Sequence, residues 1–306
     1  VVVVEGFGGS RIPRLAPLYV KEPIITEWRQ IYARIFPHQF PRILSGPLAA
    51  LESFTAWVHR NTVVLAFTPE WQEAFQTLGF RRENIFRVPV SIPDEWLRVD
   101  GHQRVVEPRV IWIGKFHRYK CPHHLIEAMA HVVEEVPDAR LVLAGRRSDS
   151  KFERQLKRLA RDLGLAGRVE FLFNIAEEEK WALLRRCRVL ALPSSVEGFG
   201  IVVLEANASG LPVIASSGVP EGAVRHGGNG LRYPFGDIRA LAGCIIRLLK
   251  DEELHATLSA NGRMFAQQFG WQSVGEQFEA VVRHALDRRR RDKVGPSSRP
   301  RWKSER

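Results

Sequence analysis

Two glutamates carry the strongest chemical signal in this chain. They stand in the segment Ser194-Ser195-Val196-Glu197-Gly198-Phe199-Gly200-Ile201-Val202-Val203-Leu204-Glu205-Ala206. Gly198 and Gly200 let backbone approach a ligand closely. The amides of Phe199 to Val202 fall at the opening of a helix, an end that attracts anions such as a diphosphate. A carboxylate beside such an end is suited to grip sugar or ribose hydroxyls in bidentate fashion. By spacing alone, an acidic turn followed by a chance second glutamate is an equally good reading. A second cluster is Gly114-Lys115, followed by His117, Arg118 and Lys120. Its cations suit phosphate charge, or else a solvated basic loop. In a glycosidase a carboxylate pair would serve as acid and nucleophile. Here the glycine-rich, lysine-flanked setting favours a phosphate leaving group. There is no Asp-x-Asp motif. Cys121, Cys187 and Cys244 have neither disulfide nor metal spacing. His117, His123 and His124 read as loop or surface histidines without zinc-site partners.

The elements that must position these residues alternate strand and helix. Val110–Ile113, Leu141–Ala144, Val169–Leu172, Val189–Leu192 and Pro212–Ala215 are continuous apolar runs of strand length. His124–Val136, Phe152–Leu163, Glu177–Arg186 and Gly200–Ala208 have helical spacing between them. Continuous apolar strands separated by helices predict a parallel sheet covered on both faces. Ligands of such sheets sit at the carboxyl ends of the strands. Gly114, Gly145 and Pro193-Ser194-Ser195 all fall there. In the first hundred residues Val1–Val4, Ile24–Thr26, Val63–Ala66 and Ile85–Val88 are expected strands. Leu44–His59 and Pro69–Leu78 are expected helices. These are too few to close a doubly wound sheet, which reads as a domain whose opening strands are absent from the chain.

At 306 residues the chain is long enough for two domains. With 45% hydrophobic and 26% charged residues it has the balance of a soluble globular protein. No apolar run reaches the roughly 18 residues of a membrane span. No signal peptide is evident, and a reducing cytosol is the simplest setting for its thiols. Of the net charge of +11, the last 20 residues, from Asp287, hold nine Lys/Arg against three Asp/Glu, a net of +6. With Gly295, Pro296 and Pro300 among them, residues 291–306 read as a disordered basic tail. Such a tail suits peripheral contact with anionic lipid at the inner face of a plasma membrane. The remaining +5 gives no argument for a nucleic-acid partner.

From Ala191 to Glu221 the chain resembles the donor-site region of the family 4 (group 1) glycosyltransferases. The resemblance rests on Pro193-Ser194, the Glu197-to-Glu205 spacing, Glu205–Ala215 and Gly218-Val219-Pro220-Glu221. It continues through Gly228–Leu231 and Pro234–Asp237, and includes Gly114-Lys115 with Lys120, where the family usually carries Arg in place of Lys115. It reaches the first domain more weakly, through Pro13–Lys21 and Pro23–Thr26, and the terminal helix after Phe269-Gly270-Trp271. The resemblance implies an α/β protein of the GT-B fold, with two Rossmann-like doubly wound domains facing a cleft and the first incomplete. The implied division is a partial acceptor-side domain at 1–95 and a linker at 96–108. The nucleotide-sugar domain follows at 109–268, and a helix at 269–290 crosses back to the first domain.

The implied activity is transfer of a hexose-type sugar from a UDP-sugar or GDP-sugar to a glycan or lipid-linked acceptor, with retention and without a metal or other cofactor. Glu197 would contact the donor sugar near the reacting carbon. Lys115 and Lys120 would neutralise the leaving diphosphate. Gly114, Gly198, Phe199, Gly200, Ile201 and Val202 would line the donor, and Glu205 would hold the ribose. The alternatives are a donor-binding but inactive GT-B fragment, or a GT-B nucleotide-sugar epimerase.

Overall fold

Runs such as Val189–Leu192 offer no polar face to water, so they are stable only with helices on both sides. In this computed structural model, which describes residues 1–7, 15–28, 31, 33, 35–39, 41–98 and 107–293, that is what they receive. The first part of the chain forms β1 (Val3–Phe7), β2 (Ile24–Trp28), α1 (Phe36–Gln39), α2 (Arg42–His59), β3 (Val63–Ala66), α3 (Pro69–Thr77), β4 (Ile85–Arg87) and α4 (Asp94–Leu97). The second part begins with β5 (Arg109–Lys115), α5 (Pro122–Glu135), β6 (Arg140–Arg146), α6 (Ser150–Asp162), β7 (Val169–Phe173) and α7 (Glu177–Arg186). It continues with β8 (Val189–Leu192), α8 (Ile201–Ala208), β9 (Val213–Ser216), β10 (Gly230–Tyr233), α9 (Ile238–Lys250), α10 (Glu252–Ala266) and α11 (Trp271–Lys293).

Among the described residues every strand pairing is parallel. β1 to β4 form one sheet in chain order, and the other runs β10-β9-β8-β5-β6-β7. In the larger sheet the chain moves outward from β5 to β7, then returns to the other side of β5 with β8. Adjacent helices therefore leave β5 and β8 toward opposite faces, and a crevice opens at their carboxyl ends. Its core is built on side chains such as Trp112, Leu125, Met129 and Leu141, all fully buried. Helix starts are fixed by short acids that accept orphan amides: Asp149 accepts from Lys151 and Phe152 (2.9 and 3.0 Å), and Asp237 from Ala240 (2.9 Å).

The strand expectations for the first hundred residues correspond to β1–β4, with β1 displaced two residues because Val3 is the first to pair with β2. β10, α9 and α10 had no expected counterpart. α11 returns to the smaller sheet, where Val274, Val281 and Ala285 pack with Ile25, Val63 and Leu65. Residues 94–97 are helical, and Trp96 packs against Trp181 of α7 with ring centroids 4.4 Å apart and the ring planes tilted by 54°. Residues 99–106 of the expected linker, Pro13 and Arg14, and the tail from 294 onward lie outside the described residues. Among the described residues no helix is long and apolar enough to cross a membrane.

Candidate active site

β5 and β6 run in register to their last residues, so Gly114 lies beside Gly145 and Lys115 beside Arg146. That approach needs glycine. A Cβ on Gly145, whose φ is +147°, would sit 1.7 Å from the Gly114 carbonyl oxygen. Beyond β5 the chain makes one turn, Arg118–Lys120, that carries Lys120 back over the crevice. The loop after β8 is tied to this turn, because the Ser195 amide donates to the Tyr119 carbonyl (2.8 Å). It is tied to the loop after β9 as well, the Glu197 amide donating to the Gly218 carbonyl (3.0 Å). Between these anchors the Lys120 ammonium and the Glu197 carboxylate form an ion pair, and the Ser194 hydroxyl donates to the same oxygen at 3.3 Å.

Gly200 caps α8 with a left-handed backbone (φ +80°) that suits glycine, and the helix starts one residue later than its apolar pattern implies. The Val203 amide donates to the Gly200 carbonyl at 2.8 Å, and the remaining amides of the first turn give this helix start, where Gly200, Ile201 and Val202 line the crevice, a partial positive charge. Glu205 follows on the buried side of α8. Its partner is Lys180 of α7, whose ammonium lies 2.8 Å from Glu205 Oε1 and 2.6 Å from Glu177 Oε2. Burial pushes the Glu205 carboxyl above the usual carboxylate range, and Lys180 only partly pulls it back. Burial alone would lower Lys180, but the two carboxylates outweigh it and raise the ammonium, so the lysine stays charged. Burial and the nearby Lys115 and Lys120 hold the His117 imidazole below its ordinary value.

Two cavities meet at this point. One, of about 710 Å³, is lined by Gly114, Lys115, Lys120, Glu197, Gly200, Ile201, Val202 and Glu205, with Lys180 and Asn174. These sequence-derived site residues are thus brought together. The other cavity, of about 690 Å³, lies between the sheets and is lined by Glu27, Phe67, Val90 and Trp271. Gly198 and Phe199 line this second cavity, not the first. The Phe199 ring is buried against Phe269, with centroids 5.7 Å apart. Glu197, Gly200 and Ile201 line both, so Glu197 stands at the seam.

Two residues of the site, Lys180 and Trp71, carried no recognised signal. Lys180 sits on a helix whose acidic first turn was legible, but which side of α7 meets α8 is a property of the fold. Asn174, just after β7, adopts a left-handed backbone (φ +55°) and donates its amide to Gly145 O at 2.8 Å. Trp71 reaches in from α3, its indole donating to the Gly198 carbonyl at 2.7 Å. One expectation is corrected. Cys121 and two of the histidines do meet, because a left-handed residue at Cys121 (φ +49°) precedes the first turn of α5. The Cys121 sulfur and one nitrogen each of His123 and His124 lie within 4.8 Å of one another.

The model of the family described as "Glycosyl transferases group 1" matches residues 98–265, which is more than half of the chain. This chain belongs to the group 1 glycosyltransferases. The matched span contains the whole larger sheet and the first cavity. Among curated relatives, a D-inositol 3-phosphate glycosyltransferase of Corynebacterium urealyticum is 33% identical over 177 residues, covering 56% of this chain and 42% of its own length. An N-acetyl-alpha-D-glucosaminyl L-malate synthase of Bacillus anthracis is 35% identical over 195 residues, covering 62% and 48%. The chain therefore spans less than half the length of these relatives. The fold is shared with Anabaena HepE solved with UDP and glucose (TM-score 0.75, 22% identity, 88% of this chain and 74% of that one). It is shared also with sucrose-phosphate synthase of Thermosynechococcus elongatus (TM-score 0.74, 24% identity, 89% and 70%). The architecture is the GT-B arrangement of two parallel α/β sheets.

Proposed function

We propose that this group 1 glycosyltransferase chain moves a hexose-type sugar from a UDP-sugar or GDP-sugar to a glycan or lipid-linked acceptor. The observation that carries the reading is the place of Glu197, at the seam of a lysine-lined cavity and a second cavity between the sheets. The first has the charge for a nucleotide diphosphate. Lys115, Lys120 and the amino end of α8 supply positive potential where the leaving diphosphate develops charge, which is the main electrostatic task of such a transfer. Glu205 grips the ribose, exchanging its bond to Lys180 for ribose hydroxyls, and the base lies near Asn174 at the end of β7. Glu197 holds the sugar hydroxyls beside the reacting carbon. The acceptor enters through the second cavity and meets the sugar at the seam. That Anabaena HepE was solved with UDP supports UDP as the first nucleotide to try.

No metal is needed at the diphosphate in this reading, because the two lysines and the helix end do that work. Retention is the stereochemistry the family resemblance implies. The test is transfer from UDP- and GDP-sugars by the purified chain and by Glu197→Ala. Loss of transfer with nucleotide binding retained supports the assignment, whereas an unchanged rate in the variant overturns it. Added Mg²⁺ or Mn²⁺ should leave the rate unchanged, and the product should keep the donor's anomeric configuration.

A further inference from the structure

Next to the Lys120 turn lies a cluster that the transfer reaction leaves unused. Cys121 is buried at the amino end of α5, and His123 and His124 occupy the next turn. The Cys121 sulfur and one ring nitrogen of each histidine all lie within 4.8 Å of one another. The Nδ1 atoms of both histidines are buried and have no hydrogen-bond partner. A buried polar nitrogen without a partner costs free energy, and two side by side call for an explanation. The surroundings do not supply one: His123 faces the Phe152 ring at 6.0 Å and His124 the Phe235 ring at 5.5 Å, and neither ring can accept or donate a conventional hydrogen bond. The backbone is also unusual, since Cys121 is one of two non-glycine residues with positive φ among the described residues. A small sulfur side chain is thus held in a conformation that glycine would adopt with less strain.

We propose that Cys121, His123 and His124 form a site for a borderline-soft divalent cation of the Zn²⁺ type. One thiolate and two imidazoles are a donor set that selects such ions over Mg²⁺ or Ca²⁺. Tetrahedral coordination would be completed by water or an exogenous ligand, since both histidines keep a solvent-facing side. Cys121 now directs its S–H toward the Arg118 carbonyl at 3.2 Å. On binding, that S–H bond is replaced by a sulfur–metal bond and the proton passes to solvent, while both imidazoles bind neutral. Arg118, stacked on Phe152 at 4.8 Å, opposes the added charge, and the thiolate offsets one of the cation's two charges. The bound ion would pin the turn between Lys120 and α5. It is separate from the diphosphate cavity, whose lining includes none of the three ligands. The proposal does not rest on the transferase reading.

The test is a Co²⁺ titration of the untagged full chain after stripping with a chelator, followed by displacement with Zn²⁺. The expected result is one equivalent of Co²⁺ with a thiolate-to-cobalt charge-transfer band, bleached by one equivalent of Zn²⁺. Cys121→Gly should abolish the band, and His124→Asn should weaken cobalt binding by about tenfold or more. Because +49° is a glycine-compatible φ, the stripped Cys121→Gly chain should melt no lower than the stripped parent, which separates ligand loss from unfolding. Absence of the band in the parent chain would overturn the proposal. So would a band that persists in Cys121→Gly, which would place the ion on Cys187 or Cys244.

Discussion

Trp71 Nε1 donates a 2.7 Å hydrogen bond to the carbonyl of Gly198, joining a helix of the smaller sheet to the loop that carries Glu197 in the larger one. The neighbouring Glu70 accepts from the Gly222 amide at 3.2 Å. One turn of α3 therefore holds both loops that border the site. Trp71→Phe keeps the aromatic packing against Phe67 and Phe75 but removes the donor. It should cost about 1–3 kcal/mol, the range for an orphaned buried carbonyl, and lower the sugar-transfer rate at saturating donor. Chemical denaturation and a kcat against KM comparison check both; a variant equal to the parent in each would remove Trp71 from the site.

Lys180 and Glu205 are a buried pair, and removing one member strands the other. Lys180→Met should destabilise the chain by about 3–5 kcal/mol. Lys180→Met combined with Glu205→Met should recover most of that loss, because no unpaired charge remains. Denaturant midpoints of the parent, both single variants and the double variant measure the coupling.

The Glu70 contact gives a pH signature. Burial pushes this carboxyl up, but the neighbouring Thr68 side chain and the backbone amides around it, that of Gly222 among them, outweigh it and lower its pKa from the usual 4.5. A depressed folded-state pKa means the contribution is fully present above the unfolded value and is lost as pH falls through the folded one. Melting temperature should therefore drop more steeply below pH 4.5 in the parent than in Glu70→Gln, while the two curves run parallel above that value. Parallel curves throughout would show that the carboxylate makes no such contact in solution.

Nucleotide binding should be visible as thermal stabilisation. A nucleoside diphosphate at 100 times its Kd adds about 2.7 kcal/mol to a folded state that alone binds it. The melting temperature should rise with UDP or GDP more than with ADP, and the rise should vanish in Lys120→Ala and Glu205→Ala. A rise retained by both variants would place the nucleotide elsewhere.

Gly145→Ala tests the closeness of β5 and β6. The added methyl would meet the Gly114 backbone, which cannot swing away as a side chain could, and φ +147° adds strain. A loss of about 3 kcal/mol or more is expected, with little soluble chain at physiological temperature. Denaturation of the purified variant gives the number.

The sequence by itself determined the class of fold and most of the lining of the site. Its apolar runs lack a polar face, which only a covered parallel sheet satisfies, and Gly114, Gly145 and Gly200 stand at strand or helix ends where backbone must approach backbone or ligand. By spacing and charge alone Glu197 and Glu205 could be an acidic turn, and Lys115 and Lys120 a solvated basic loop; the resemblance of the surrounding residues to the group 1 glycosyltransferases made them legible as a site. The pairings were decided by tertiary structure alone. Lys120 meets Glu197 across 77 positions, Lys180 meets Glu205 across 25, and Trp71 meets Gly198 across 127. These depend on strand order, on which side of α7 faces α8 and on how the two sheets face each other, and no periodicity along the chain encodes them. The meeting of Cys121 with His123 and His124 is closer in sequence, yet it too was hidden. It follows from a single left-handed residue, and the dihedral angles of one cysteine are set by the contacts around it, not by its type.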